Sequence, residues 1–160
     1  MDRLEVYVLC ESRSRACAEP FLNAFLPQRS PAAEDYPFPQ YTDQPEVVYQ
    51  TPDEVMQRME TEPDARYSLY WRNQTAEEPE MAMLFYTRDG AMIAGLVVSE
   101  PAVGPTLQAM SRQVQGRFGY ITLESSPPET RDEFISLCRD STEINLFAGD
   151  LRPAESESAE

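Results

Sequence analysis

The sequence predicts an α+β domain: a largely antiparallel sheet of about five to six strands, with about four helices packed on it. Three observations lead there. Leu4, Val6, Val8 and Cys10 alternate along one face of a strand. Asp89-Gly90 joins two apolar runs, 81–88 and 91–98, as a hairpin. Helical stripes with capping signals fall between the remaining strand patterns. The resulting order, β α β α β β β α β α, is mixed rather than strictly alternating.

After the first strand, Ala18, Phe21, Leu22 and Phe25 recur at helical spacing within 16–26. Pro20 leaves the start of that helix open, because proline is tolerated in a first turn and not beyond it. Residues 27–45 hold five prolines and read as a long irregular connection, the kind of loop that often carries function. A short strand follows at 46–50. Thr51-Pro52-Asp53-Glu54 is a capping box with proline at the first helical position, and its helix turns Val55, Met56 and Met59 inward to about Glu60.

The stretch RYSLYWRN, 66–73, is the next strand, placing Tyr67, Leu69 and Trp71 on one face and Arg66, Ser68, Tyr70 and Arg72 on the other. The first face reads as core. A nucleic-acid stacking platform would need aromatics and cations together in a positive surround, which alternation and the overall charge oppose. The hairpin 81–98 is apolar on nearly every residue, so both of its faces are expected to be covered, and self-association stays open. Val103, Leu107, Met110 and Val114 form a helix ending near Gly116 or Gly119. Residues 120–124 alternate as a strand, and Ser126-Pro127-Pro128-Glu129 reads as a second capping box before a final helix lined by Phe134, Ile135, Leu137 and Cys138. A single globular domain is expected over 1–147, with an acidic disordered tail over 148–160.

The 160 residues carry 28 acidic and 13 basic side chains, a net charge of −15, and every basic residue is arginine. Such a chain repels nucleic acid and anionic membranes. It attracts basic proteins and speeds their association, or the charge serves solubility alone. No run of apolar residues is long enough for a membrane span, and the charged N-terminus passes straight into a strand, unlike a signal peptide. Cys10, Cys17 and Cys138 are scattered and form no framework, which suits buried free thiols in a reducing cytoplasm.

The chain has no histidine, which removes the commonest general base and metal ligand. There is no CxxC pair, no glycine-rich nucleotide loop and no lysine for a Walker motif; GRFG at 116–119 reads as a helix end. Asp35 and Asp43 match no calcium loop. No catalytic, cofactor or metal residues are therefore assigned. A carboxylate-dependent enzyme would require two acids in a concave pocket. Binding is the function class that remains. Its candidate residues are Glu34, Asp35, Tyr36, Tyr41 and Asp43 in the proline-rich segment, and Glu77, Glu78 and Glu80 as a second acidic patch. The competing expectation is that Tyr36, Phe38 and Tyr41 simply pack across the sheet.

Taken in order, PQYTDQPEVVYQT (39–51), YSLYWRN (67–73), MLFYTRDGAMIAGL (83–96) and GRFGYITLESSPPET (116–130) resemble a group of small bacterial immunity proteins, partners of polymorphic, contact-delivered toxins. The resemblance spans about the first 140 residues and includes no catalytic signature. It implies a non-enzymatic inhibitor that binds a cognate toxin protein in the cytoplasm of the producing cell, with no cofactor. The alternative is an acidic adaptor or regulatory domain that binds another basic protein.

Overall fold

The computed structural model describes residues 3–123, 125–140 and 147–150. Its main sheet has seven strands, in the spatial order β2-β5-β6-β7-β1-β8-β9. These are β1 (Arg3–Leu9), β2 (Arg29–Pro31), β5 (Tyr67–Asn73), β6 (Met81–Tyr86), β7 (Met92–Ser99), β8 (Phe118–Thr122) and β9 (Phe147–Asp150). Every neighbouring pair runs antiparallel. Two further strands, β3 (Tyr36–Phe38) and β4 (Val47–Tyr49), form a separate two-stranded sheet. The α+β class and the antiparallel sheet follow the sequence expectation.

Alternation along the strands sorts side chains into two cores. One face of β1 contributes Leu4, Val6 and Val8, which pack with Tyr67, Leu69 and Trp71 of β5 under three helices: α1 (Arg15–Phe25), α2 (Pro52–Thr61) and α3 (Val103–Val114). The other face carries Tyr7, Leu9, Met83, Ile93 and Tyr120, and packs against Phe134 and Cys138 of α4 (Arg131–Asp140). All eight residues of β7 are buried, so both faces of that strand are covered within the chain. On β6 the second-face residues Met81 and Phe85 stay half-buried, as does Tyr70 of β5.

Several elements differ from the sequence reading. Pro20 lies inside α1 rather than in its first turn. Pro20 and Ala16, whose carbonyl would have met its missing N–H, are both exposed, so water can take the bond. The 27–45 connection contains β2 and β3, each of only three residues. Pro31 ends β2 at the sheet edge, where no ladder donor is required. Of the Asp89-Gly90 pair only Gly90 has positive φ, 91°. The turn is longer than two residues, closed by Thr87 N–H to Ala91 O at 2.9 Å and Ala91 N–H to Thr87 Oγ1 at 2.8 Å. The last helix is capped by Thr130 and Glu133, with Glu133 N–H donating to Thr130 Oγ1 at 3.1 Å, and not by Ser126 and Glu129. The tail boundary at 148 falls within β9, because Ala148 to Asp150 pair with β8. Residues 151–160 lie outside the described residues.

The hairpin turn is tied to the rest of the fold from two sides. On one side Arg13, in the β1–α1 connection, is buried and donates to the carbonyls of Thr87 and Ala91, at 2.9 and 3.3 Å. On the other, the Asp89 carboxylate accepts the amides of Arg131 and Asp132, at 2.7 and 3.4 Å, capping α4 from another part of the chain. Partial burial works to raise the Asp89 pKa. The Arg131 amide, the Thr87 hydroxyl and the Asp132 amide outweigh it, so the carboxyl lies below its usual range. Its contribution is therefore full above the unfolded value of about 3.9 and is lost as pH falls through the folded value. Asp89→Ala is expected to cost about 1 kcal/mol near neutral pH in urea unfolding. That difference should shrink below about pH 4; a constant difference down to acid pH would refute the cap.

Candidate functional site

The proline-rich segment lies along β5 at one edge of the main sheet. Ala32 N–H donates to Tyr70 O at 3.0 Å, continuing the β2–β5 pairing. Tyr36 and Phe38 of β3 turn inward, Tyr36 being 4% exposed. Phe38 stacks on Tyr67 with the rings 6.4 Å apart and 10° from parallel, and the Arg58 guanidinium carbon lies 4.1 Å from the Phe38 ring centroid. Arg58 is itself held by the Glu62 carboxylate, by Tyr49 Oη at 3.0 Å and by Glu46 at 3.1 Å. These contacts fasten the small β3–β4 sheet to α2.

Gln40 then binds β5 as a strand would. Its Nε2 donates to Ser68 O at 3.0 Å and its Oε1 accepts Ser68 N–H at 2.8 Å. The next residue, Tyr41, has φ of 63°, in the left-handed region that non-glycine residues seldom occupy, and its side chain is 77% exposed. A large aromatic is thus held out in solvent by a loop whose neighbour is clamped to the sheet. Glu34, Asp35 and Asp43 of the same segment are all exposed.

A cavity of about 390 Å³ opens beneath Tyr41, lined by Asp35, Tyr36, Gln40, Tyr67 and Tyr70 among others. Burial raises the Tyr67 pKa, and the charges of Tyr36, Tyr41 and Asp35 add to the effect; burial and then Tyr41 do the same to Tyr70. The four phenols and the carboxylate form one electrostatic cluster.

The second acidic patch lies elsewhere. Glu77, Glu78 and Glu80 occupy the β5–β6 connection, beyond Asn73. Five residues of strand separate Ser68 from Asn73, roughly 17 Å. Glu78 is used internally, accepting Ser99 N–H at 3.2 Å, and Glu80 pairs with Arg3 at 2.5 Å across an exposed surface. The loop is shaped by Asn73, whose Nδ2 donates to Glu77 O and Pro79 O at 3.2 and 2.9 Å. The structure therefore keeps the two patches apart and makes the second mainly a built turn. Of the first set, Glu34, Asp35, Tyr41 and Asp43 are presented to solvent, whereas Tyr36 is core. The aromatics divide because β3 alternates: Tyr36 and Phe38 are paired in register with Tyr49 and Val47 and belong to the core under the helices.

No family model matches the chain, and no curated protein matches it. Among solved structures it is similar to one chain of a crystal structure of the toxic C-terminal tip of CdiA from Pseudomonas aeruginosa in complex with immune protein. The likeness covers 95% of this chain and 97% of that one, with a TM-score of 0.50 and 13% sequence identity. The fold is shared with a chain of a toxin–immune protein complex. That agrees with the resemblance to toxin immunity proteins drawn from the four quoted sequence stretches.

One feature near Arg13 escaped the sequence reading: the thiols of Cys10 and Cys17 act on each other. Cys10 chiefly lowers the Cys17 pKa, to about 7 against the opposing effect of burial, while burial pushes the Cys10 thiol well up. Their spacing of seven residues joins a strand end to a helix start, which no short motif encodes. Among the described residues no group of three or more metal-ligating side chains converges, and no helix is long and apolar enough to cross a membrane.

Proposed function

We propose that this chain is an immunity protein, which binds the toxic domain of a bacterial toxin in the producing cell and neutralises it without catalysing a reaction. The observation that carries the reading is the shared fold with a chain of a toxin–immune protein complex over nearly the whole length. The net charge of −15 supports the inhibitor's side of such a pair. A domain that attacks phosphate-bearing substrates needs a basic surface, and an acidic protein is drawn to that surface by the same field. The exposed acids Glu34, Asp35 and Asp43, in the same segment as Tyr41, are the part of the surface best suited to the contact, with Glu77 of the second patch in the β5–β6 connection.

Co-expression decides the matter. The chain is expressed with the C-terminal domain of a toxin encoded beside it, and growth is followed. Restored growth is the expected result. Growth arrest by this chain alone would place it on the toxin's side, and binding without protection would make it an acidic adaptor. With purified proteins, the association rate is expected to fall about tenfold or more as salt rises from about 10 to 150 mM, since screening shortens the reach of the acidic field. A rate indifferent to salt would show an apolar contact instead.

A further inference from the structure

The cavity beneath Tyr41 has a chemistry of its own. Its volume, about 390 Å³, is enough for one long side chain and falls in the range of small-ligand clefts, roughly 300–1,000 Å³. Its walls are aromatic: Tyr36 and Tyr67 lie deep, Tyr70 is half-buried, and Tyr41 stands at the rim. Several of the donors around it are already engaged within the chain. Tyr67 Oη donates to Pro37 O at 2.9 Å and Tyr36 Oη to Ala33 O at 3.4 Å. Ser68 N–H is taken by Gln40 Oε1, and the Gln40 amide donates back to Ser68 O. The cavity offers acceptor capacity on the phenol oxygens, the negative faces of the rings, and the carboxylate of Asp35, the one charged side chain among its lining residues. Such a site suits a cation and disfavours an anion.

We propose that this cavity takes a cationic side chain, arginine or lysine, projected by the partner protein. Resting on the immunity reading above, the inference names the chemistry of one contact within it. Tyr41 and Tyr70 present their rings to the cation and its alkyl stem, and Asp35 pairs with the charge at the mouth. Cation–π attraction of this kind strengthens as the cation leaves water. The left-handed backbone at Tyr41 is consistent with the role, because the Gln40 clamp on β5 fixes the loop while the next side chain is thrown outward over the opening.

The test needs no toxin. Isotope-labelled protein is titrated with N-acetyl-arginine methylamide and, in parallel, with the citrulline analogue, which keeps the shape and loses the charge. The expected result is saturable shifts confined to the amides of Tyr41, Ser68 and Tyr70, seen with the arginine compound alone. Tyr41→Ala and Asp35→Asn should each weaken that binding about tenfold, with Tyr41→Phe close to the native protein. Glu19→Gln, which removes the same charge from an exposed position on α1, should leave it unchanged. Equal responses to arginine and citrulline, shifts spread over the whole acidic surface, or none at tens of millimolar probe would each overturn the proposal. Those outcomes leave the growth experiment untouched. A failure of protection, conversely, would leave the cation site standing.

Discussion

Arg13→Met is expected to lower the unfolding free energy by about 3–5 kcal/mol, read from urea denaturation followed by Trp71 fluorescence. Arg13 is 8% exposed, and among the described residues no carboxylate lies within salt-bridge reach of it; six main-chain carbonyls surround the guanidinium instead. Nε donates to Met59 O at 3.0 Å, Nη1 reaches Pro63, Thr87 and Ala91, and Nη2 reaches Glu62 and Ala65. Those carbonyls come from the end of α2, the segment after it and the hairpin turn. The ring of Tyr86 lies 5.1 Å from the guanidinium carbon. Methionine keeps the stem and the packing but leaves several buried acceptors without a donor, each costing about 1–3 kcal/mol. Lysine retains the charge but not the planar fork, so Arg13→Lys should recover only part of the loss. A methionine variant as stable as the native protein would show that water satisfies these carbonyls.

The second large effect is expected at Gly116. A Cβ built there would lie 2.6 Å from the carbonyl oxygen of Leu9 and would also strike Val8 Cγ1. Both obstacles belong to β1, an interior strand with neighbours on either side, so neither can yield cheaply. Gly116→Ala should therefore cost about 3 kcal/mol, at the upper end of overpacking effects. Gly104, near the start of α3, is the control. An added Cβ there meets nothing within 4 Å, and alanine at that position should stabilise the protein by up to about 1 kcal/mol. Similar losses at the two glycines would show that backbone freedom, and not close approach, is what Gly116 supplies.

The long strands were legible because each carries its own pattern. β1 alternates, and β6 and β7 are apolar throughout around a turn signal. The buried set Tyr67, Leu69 and Trp71 follows directly from period-two alternation in β5. The three-residue strands β2 and β3 carry no such pattern and exist because partner strands hold them, whereas β4 falls within the short strand read at 46–50. For the same reason the inward turn of Tyr36 could not be separated from the outward turn of Tyr41. The helix cap at 130–133 competes with the motif immediately before it at 126–129, and the contact that favours the later start comes from Asp89, some forty residues away. Arg13 is the clearest case of tertiary override. Within ESRSR it looks like any surface arginine, and its burial depends on carbonyls from three distant stretches.

The two-sided fastening of the hairpin turn changes how the sheet can open. Turns at strand ends ordinarily belong to the least protected part of a fold and fray first. Here Arg13 clasps the main-chain carbonyls of Thr87 and Ala91, while Asp89 holds the first amides of α4. Separating β6 from β7 at that end would release a buried cation and uncap a helix together. The turn thereby joins the helices on opposite faces of the sheet into one cooperative unit.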